Sequence, residues 1–467
     1  MLSKIEQKIL EEKPGLGKLI KEHGQSTILE YVKKRSHNTF INDERKQELI
    51  NTITSEVNKI LPQEIADKIK DQLEKNYYVN TTDHMGPLAH PFFVGGNLAD
   101  AVANKAGVES AVITLACSGV SLNNSSQPRA LLFHDQELNE TRLRFFSLKQ
   151  RHATVYATPA YDQNTKNKLS HEISRMNLSA ERLAILQKSF VESFGADRVL
   201  NLSTYSEQIT LANYLLWKDI PGQRQTNLFY LDLEKIVTRL IIDFHLHQLT
   251  PISSIILDHQ AHELFTKHFN NIPGAFSVAK HKGTFLFWGL NERGEHIELR
   301  LSDGFFSSSD GRVKIKIDAD SIALALTEKK LMPSLALCLI ILNNYYGLTC
   351  GGGFSQVDYL PQINKAYQAV INHLNLGEIT GKSILADVLG GDFAYLAISN
   401  GRKKQLATAL DLILYNKEDV EIKINELVAT IKIEEAIKSL FPYFYHVLTG
   451  QSGEFNIEPS LPPTLYV

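Results

Sequence analysis

The sequence predicts a helix-rich mixed α+β fold, and three observations predict it. Apolar residues recur at helical spacing near the N-terminus, as in Ile50, Ile53, Val57 and Ile60. Two separate stretches, about 110–158 and 284–317, carry short apolar runs of strand character between polar turns. Gly and Pro punctuate the rest into segments of helix length.

Taken in order, residues 1–75 read as a helical N-terminal region, broken at Lys13-Pro14-Gly15 and Leu61-Pro62. A main α+β domain is expected over 76–450, with a division into two lobes near 160–275 as the alternative, followed by an extended tail at 451–467. After a proline-rich loop, NLADAVANKAG at 97–107 reads as a helix closed by Gly107. The runs AVITLACSGVSL, RALLFH and RLRFFSLKQRHATVYA are expected to form an antiparallel sheet. Residues 163–270 return to helical patterning, with a broad apolar face in LDLEKIVTRLIIDFHLHQL. TFLFWGLNERGEHIELRL at 284–301 reads as a hairpin, VKIKI at 313–317 as its third strand, and 318–446 as mostly helical. The two strand regions are expected to share one sheet.

Composition narrows the classes of function. Hydrophobic residues at 43% and charged residues at 22% are ordinary for a globular chain, and a net charge of −3 makes no electrostatic case for nucleic acid or an anionic membrane. The most apolar run, LMPSLALCLIIL, falls short of the roughly 20 residues a bilayer span needs and reads as a buried helix. A charged N-terminus without an apolar signal core and three cysteines together point to a reducing, cytoplasmic setting.

TTDHMGPLAHPFF at 81–93 is the richest segment in chemistry. Pro87 and Pro91 fix their own φ and push Gly86 and His90 out of the helical region, so the loop is extended and stiff. Stiffness leaves little entropy to lose when side chains engage a ligand. Asp83, His84 and His90 are the first candidates for catalysis, with Asp83 orienting an imidazole, or for holding a divalent metal. The bland reading makes Asp83 a turn cap and His84 a backbone-bonded loop residue.

Three further groups accompany it. SGVSLNNSSQPR at 118–129 offers Asn124 and an Arg129 clamp for an anion, ahead of a strand that ends in His134. GLTCGGGFSQVDYLP offers Cys350 as a nucleophile, Gly351, Gly352 and Gly353 as an amide nest, and Gln356 and Tyr359 as ligand contacts. A helix cap with a buried cysteine explains the same residues without a ligand. His259 and His262 lack the spacing of a metal motif, GEITGKSI at 377–384 is one residue short of a phosphate loop, and no GxGxxG pattern occurs.

The expected function is therefore an enzyme acting on a small anionic metabolite by histidine acid–base chemistry, metal-assisted in one version, of hydrolase or lyase class. Two alternatives stand beside it: a non-catalytic ligand-binding or scaffold protein, and a thiol enzyme built on Cys350. Convergence of residues 83–90 with 129–134 and 350–359 is the structural expectation that separates them.

Overall fold

The computed structural model describes residues 2–35, 42–104, 110–376, 387–415, 419–441, 444–445 and 464–466. At its centre four parallel strands lie side by side in the order Thr349–Gly351, β1 (Tyr78–Asn80), β2 (Ser110–Ala116) and β5 (Thr226–Asp232). The β2 sequence SAVITLA and the β5 sequence TNLFYLD are buried along their described lengths, as parallel strands covered on both faces must be. Asp232 ends β5 by accepting the Lys235 amide at 2.9 Å, which starts the helix Leu233–Leu240. From β1 the chain steps to β2 and β5 on one side, whereas Thr349–Gly351 lies on the other. The loops leaving the carboxyl ends of these strands therefore part at β1, a switch in strand order of the kind that opens a crevice.

An antiparallel hairpin stands beyond β2. Its strands, β3 (Ala130–His134) and β4 (Glu140–Arg144), pair from Ala130 with Arg144 to His134 with Glu140. Alternation divides the hairpin: Leu131, Phe133 and Leu143 enter the core at 1%, 0% and 0% exposure, which turns Leu132, His134, Glu140 and Arg142 to the opposite face.

The helix-rich α+β class and the helical N-terminus are as the sequence predicts. The sheet partners differ. The first of the three strand runs joins the parallel sheet, and only the second and third pair with each other. The stretch 284–301 does form a hairpin, Phe287–Leu290 with His296–Ile297, but Lys314–Lys316 pairs with Phe305–Ser307 in a separate sheet. The two strand regions do not share a sheet; they meet at the bridge between Ala153 and Glu295, where the Thr154 amide also donates to Gly294 O at 2.8 Å, and in the buried cluster that holds Tyr156 and Leu290. Within LMPSLALCLIIL, Leu331–Pro333 is a strand and helix begins only at Leu335.

The N-terminal helices pack onto this body. Arg35 forms a buried ion pair with Asp100 and donates to the Leu389 and Gly390 carbonyls at 2.9 Å each. No helix among the described residues is long and apolar enough to cross a membrane. The sequence 377–384 and most of the tail lie outside the described residues; Thr464–Tyr466 pairs in parallel with Ala397–Ser399.

Candidate functional site

The loop after β1 begins as an extension of the sheet. The Cys117 amide donates to the Asp83 carbonyl and the Met85 amide to the Cys117 carbonyl, both at 2.8 Å, so Asp83 and His84 point to opposite sides. Asp83 turns inward and is fully buried. Its carboxylate accepts from Asn97 Nδ2 at 2.8 Å and Asn80 Nδ2 at 3.4 Å, and burial pushes its pKa up to about 7 against these bonds. The charge of Asp392 raises it further, and Asp392 is itself pushed up to about 7 by burial. His84 turns the other way, to Ser126 Oγ at 2.8 Å. Burial lowers its pKa to about 4, which keeps the ring neutral.

This loop stitches together the two other segments singled out in the sequence. The Thr81 amide donates to Gly351 O at 2.7 Å, and Gln356 Nε2 donates to Thr81 Oγ1 at 2.9 Å. On its far side Gly86 lies against Pro128, where a Cβ would stand 2.6 Å from the proline Cα. Residues 81–86 thus meet 351–356 at one end and 124–128 at the other.

The glycine loop is not an anion nest. None of Gly351, Gly352 and Gly353 has positive φ, and the Gly352 amide donates to Val388 O at 2.9 Å. The glycines allow close backbone packing instead: a Cβ on Gly351 would stand 2.7 Å from Gly390 Cα, and one on Gly96 2.7 Å from Gly391 Cα. Asp392 accepts the Phe354 amide, which occupies the start of the helix Gln356–Leu374. Gln356 is buried against Thr81, and Tyr359 packs its ring on Gly274.

Cys350 is fully buried in its strand, its Sγ 3.6 Å from Leu348 O, and burial pushes the thiol far up. A thiol in that state is not a nucleophile. The trio Asp83, His84 and His90 does not form a ligand set, because Asp83 and His84 diverge; among the described residues no group of three or more His, Cys, Asp or Glu side chains is placed to hold a metal ion.

Two of the candidate histidines do share a cavity. His90 and His134 line a cleft of about 530 Å³, together with Ser125 and Gln127 of the polar loop. Its floor is the outward face of the hairpin, Leu132, His134, Glu140 and Arg142, and Lys404 and Thr408 close it from another segment. The volume suits a small molecule. Apolar walls from Phe92, Leu406 and Leu440 face the charged groups.

His134 is the most tightly fixed group there. Its Nδ1 lies 2.7 Å from Asp411 Oδ2 and its amide donates to Asp411 Oδ1 at 2.8 Å. Asp411 also accepts the Thr408 amide at 2.9 Å, within a capping box that starts the helix Ala409–Leu414. Tyr415 donates to the His134 carbonyl at 2.9 Å. With Nδ1–H given to the carboxylate, Nε2 is the nitrogen left for a ligand in the cleft that His134 lines. Burial alone would lower the His134 pKa, but the hydrogen bond and charge of Asp411 outweigh it and the pKa is raised. His90, by contrast, is lowered to about 3 by burial and the nearby His84, so it stays neutral. The two imidazoles are thus pushed in opposite directions.

Asp411, Arg142 and Lys404 are absent from the sequence-based candidates. Thr408-Ala-Leu-Asp411 ahead of an apolar run is a legible capping-box signature, and ETRLR shows the alternation that sends Arg142 to the face of His134. Asn124 accepts from Ser126 Oγ at 3.0 Å and so braces the hydroxyl that holds His84. Arg129 points elsewhere, to Asn123 Oδ1 at 3.2 Å and Ser147 O at 3.4 Å. No protein-family model matches the chain, and no curated protein sequence matches it.

Proposed function

We propose that the protein is an enzyme that acts on a small anionic metabolite in the cleft, with His134 as general acid–base. The observation that carries this reading is the Asp411–His134 pair at 2.7 Å on the wall of a cleft of about 530 Å³. Asp411 fixes the Nδ1–H tautomer and stabilises the imidazolium, so Nε2 takes a proton from a bound group and returns it to a leaving group. Lys404, with Arg142 balanced by its Glu140 partner in the same wall, supplies the positive charge that attracts the anion, and neutral His90 contributes a hydrogen bond without adding charge. Proton transfer of this kind serves a hydrolase or a lyase alike. The non-catalytic reading keeps the cleft as a binding site and removes the proton transfer.

The test is consumption of compounds from a panel of carboxylated and phosphorylated metabolites, followed by mass spectrometry. Wild type is expected to convert at least one compound, with the rate falling about 10²–10⁴-fold in His134→Gln. Binding without conversion in wild type, or an unchanged rate in His134→Gln, would contradict the acid–base role.

A further inference from the structure

Gln127 departs from the backbone rules of its own sequence. Its φ is +56°, in the left-handed region that glycine enters freely and glutamine does not. Pro128 follows it, and a proline pushes the residue before it toward an extended backbone. Both preferences are overridden here. Of the other non-glycine residues at positive φ among the described residues, none precedes a proline and none lines the cleft.

The surroundings hold this strain in place. The Gln127 amide donates to Asn124 O at 2.9 Å and its carbonyl accepts from the Ala130 amide at 3.0 Å, so its backbone is tied on both sides. Pro128 is pinned by Gly86, packed on its Cα, and by Tyr205, whose hydroxyl donates to the Pro128 carbonyl at 2.6 Å. None of these contacts uses the Gln127 side chain. A glycine would meet the same turn without strain, so the backbone does not account for a glutamine. The side chain is half-buried, Gln127 lines the cleft with His90 and His134, and among the described residues its carboxamide makes no hydrogen bond. Strain fixed from outside, on a residue whose polar group is unengaged at a cleft, is the mark of a ligand contact.

We infer that Gln127 sets the specificity of the cleft, and that the anionic substrate is a carboxylate that also carries a primary carboxamide. This inference rests on the reading of the cleft as the substrate site. The Gln127 side chain offers an N–H donor and a C=O acceptor side by side, and a primary carboxamide presents the complementary pair. The same cleft supplies Lys404 for the carboxylate and apolar walls at Phe92, Leu406 and Leu440 for the carbon skeleton. A tied backbone leaves Gln127 less freedom to lose when the ligand arrives.

Isothermal titration of the intact protein with two compounds of one shape tests this: 4-carbamoyl-3-phenylbutanoate, and 5-oxo-3-phenylhexanoate, in which a methyl ketone replaces the carboxamide. Wild type is expected to bind the carboxamide more tightly by about 3- to 10-fold, the worth of a hydrogen bond. Gln127→Met, which keeps the length of the side chain and removes its hydrogen bonds, is expected to bind the two compounds equally. Lys404→Gln is expected to weaken both alike, because both carry the carboxylate. Gln127→Gly excludes a purely structural role: glycine is unstrained at this φ, so the thermal midpoint is expected to hold or rise while the preference is lost. No binding or equal binding of the two compounds by wild type, a preference kept in Gln127→Met, or a midpoint that falls in Gln127→Gly overturns the inference. The proposed function fails differently: unchanged turnover in His134→Gln removes the acid–base role and leaves the titration to decide Gln127, whereas a missing carboxamide preference leaves His134 to its own test.

Discussion

Asp411 Oδ2 lies 2.7 Å from His134 Nδ1, although 277 residues separate the two in the chain. The same carboxylate accepts the amides of His134 and Thr408, so one buried group ties the hairpin to the helix Ala409–Leu414. Removing it leaves three donors without their acceptor. Asp411→Ala is expected to destabilise the fold by about 3–5 kcal/mol, the range for breaking a buried charged pair. Urea unfolding checks this, and a loss under about 1 kcal/mol would show that the contact matters little.

The glycine contacts give a second expectation. Gly96→Ala places a methyl 2.7 Å from Gly391 Cα, where backbone and not a pliable side chain must move. A loss of about 1–3 kcal/mol is expected from overpacking. Unchanged thermal stability would mean that the crossing of residues 390–391 over the helix Pro91–Asn104 is looser than described.

Asp83 and Asp392 raise a pH effect whose sign is fixed. Both are held near pKa 7 when folded, above the ordinary carboxylate value of 3.8. The folded chain therefore keeps these protons longer than the unfolded one, and the stability they confer is full below about pH 4 and lost as pH climbs to about 7. Asp392→Asn removes one such group. Its stability relative to wild type is expected to improve by about 3 kcal/mol between pH 4 and pH 8. Parallel pH–stability curves for the two proteins would contradict the buried carboxylate pair.

Thiol chemistry supplies a fourth. Cys350 and Cys338 are fully buried with thiols pushed well up, whereas Cys117 is partly exposed. Iodoacetamide at neutral pH is expected to leave Cys350 unmodified in the native protein and to label it after unfolding, as peptide mass mapping would show. Fast native labelling of Cys350 would revive its role as a nucleophile.

Much of the architecture was legible from local pattern. Helical spacing in the N-terminal region and the strand-like apolar run of RALLFH are properties of neighbouring residues, and they survive in the structure. The parallel sheet was not legible, because its strands are buried on both faces and lose the alternation that marks a strand. TNLFYLD merges with the helix that follows it, so the pattern over 163–270 reads as helix throughout although β5 lies within it. His134 and His90 were identified, but their partner Asp411 lies far along the chain and only the fold brings it near. The glycines of 351–353 misled for a related reason: a close approach to another backbone and a close approach to a ligand demand the same residue.

Ring-nitrogen NMR of the wild-type protein across pH measures the effect of Asp411 on His134 most directly. The expected result is an Nδ1–H tautomer titrating above the ordinary histidine value of about 6.5, with the midpoint falling in Asp411→Asn. A His134 ring that titrates below that value, or whose midpoint ignores the Asp411 substitution, would contradict the account.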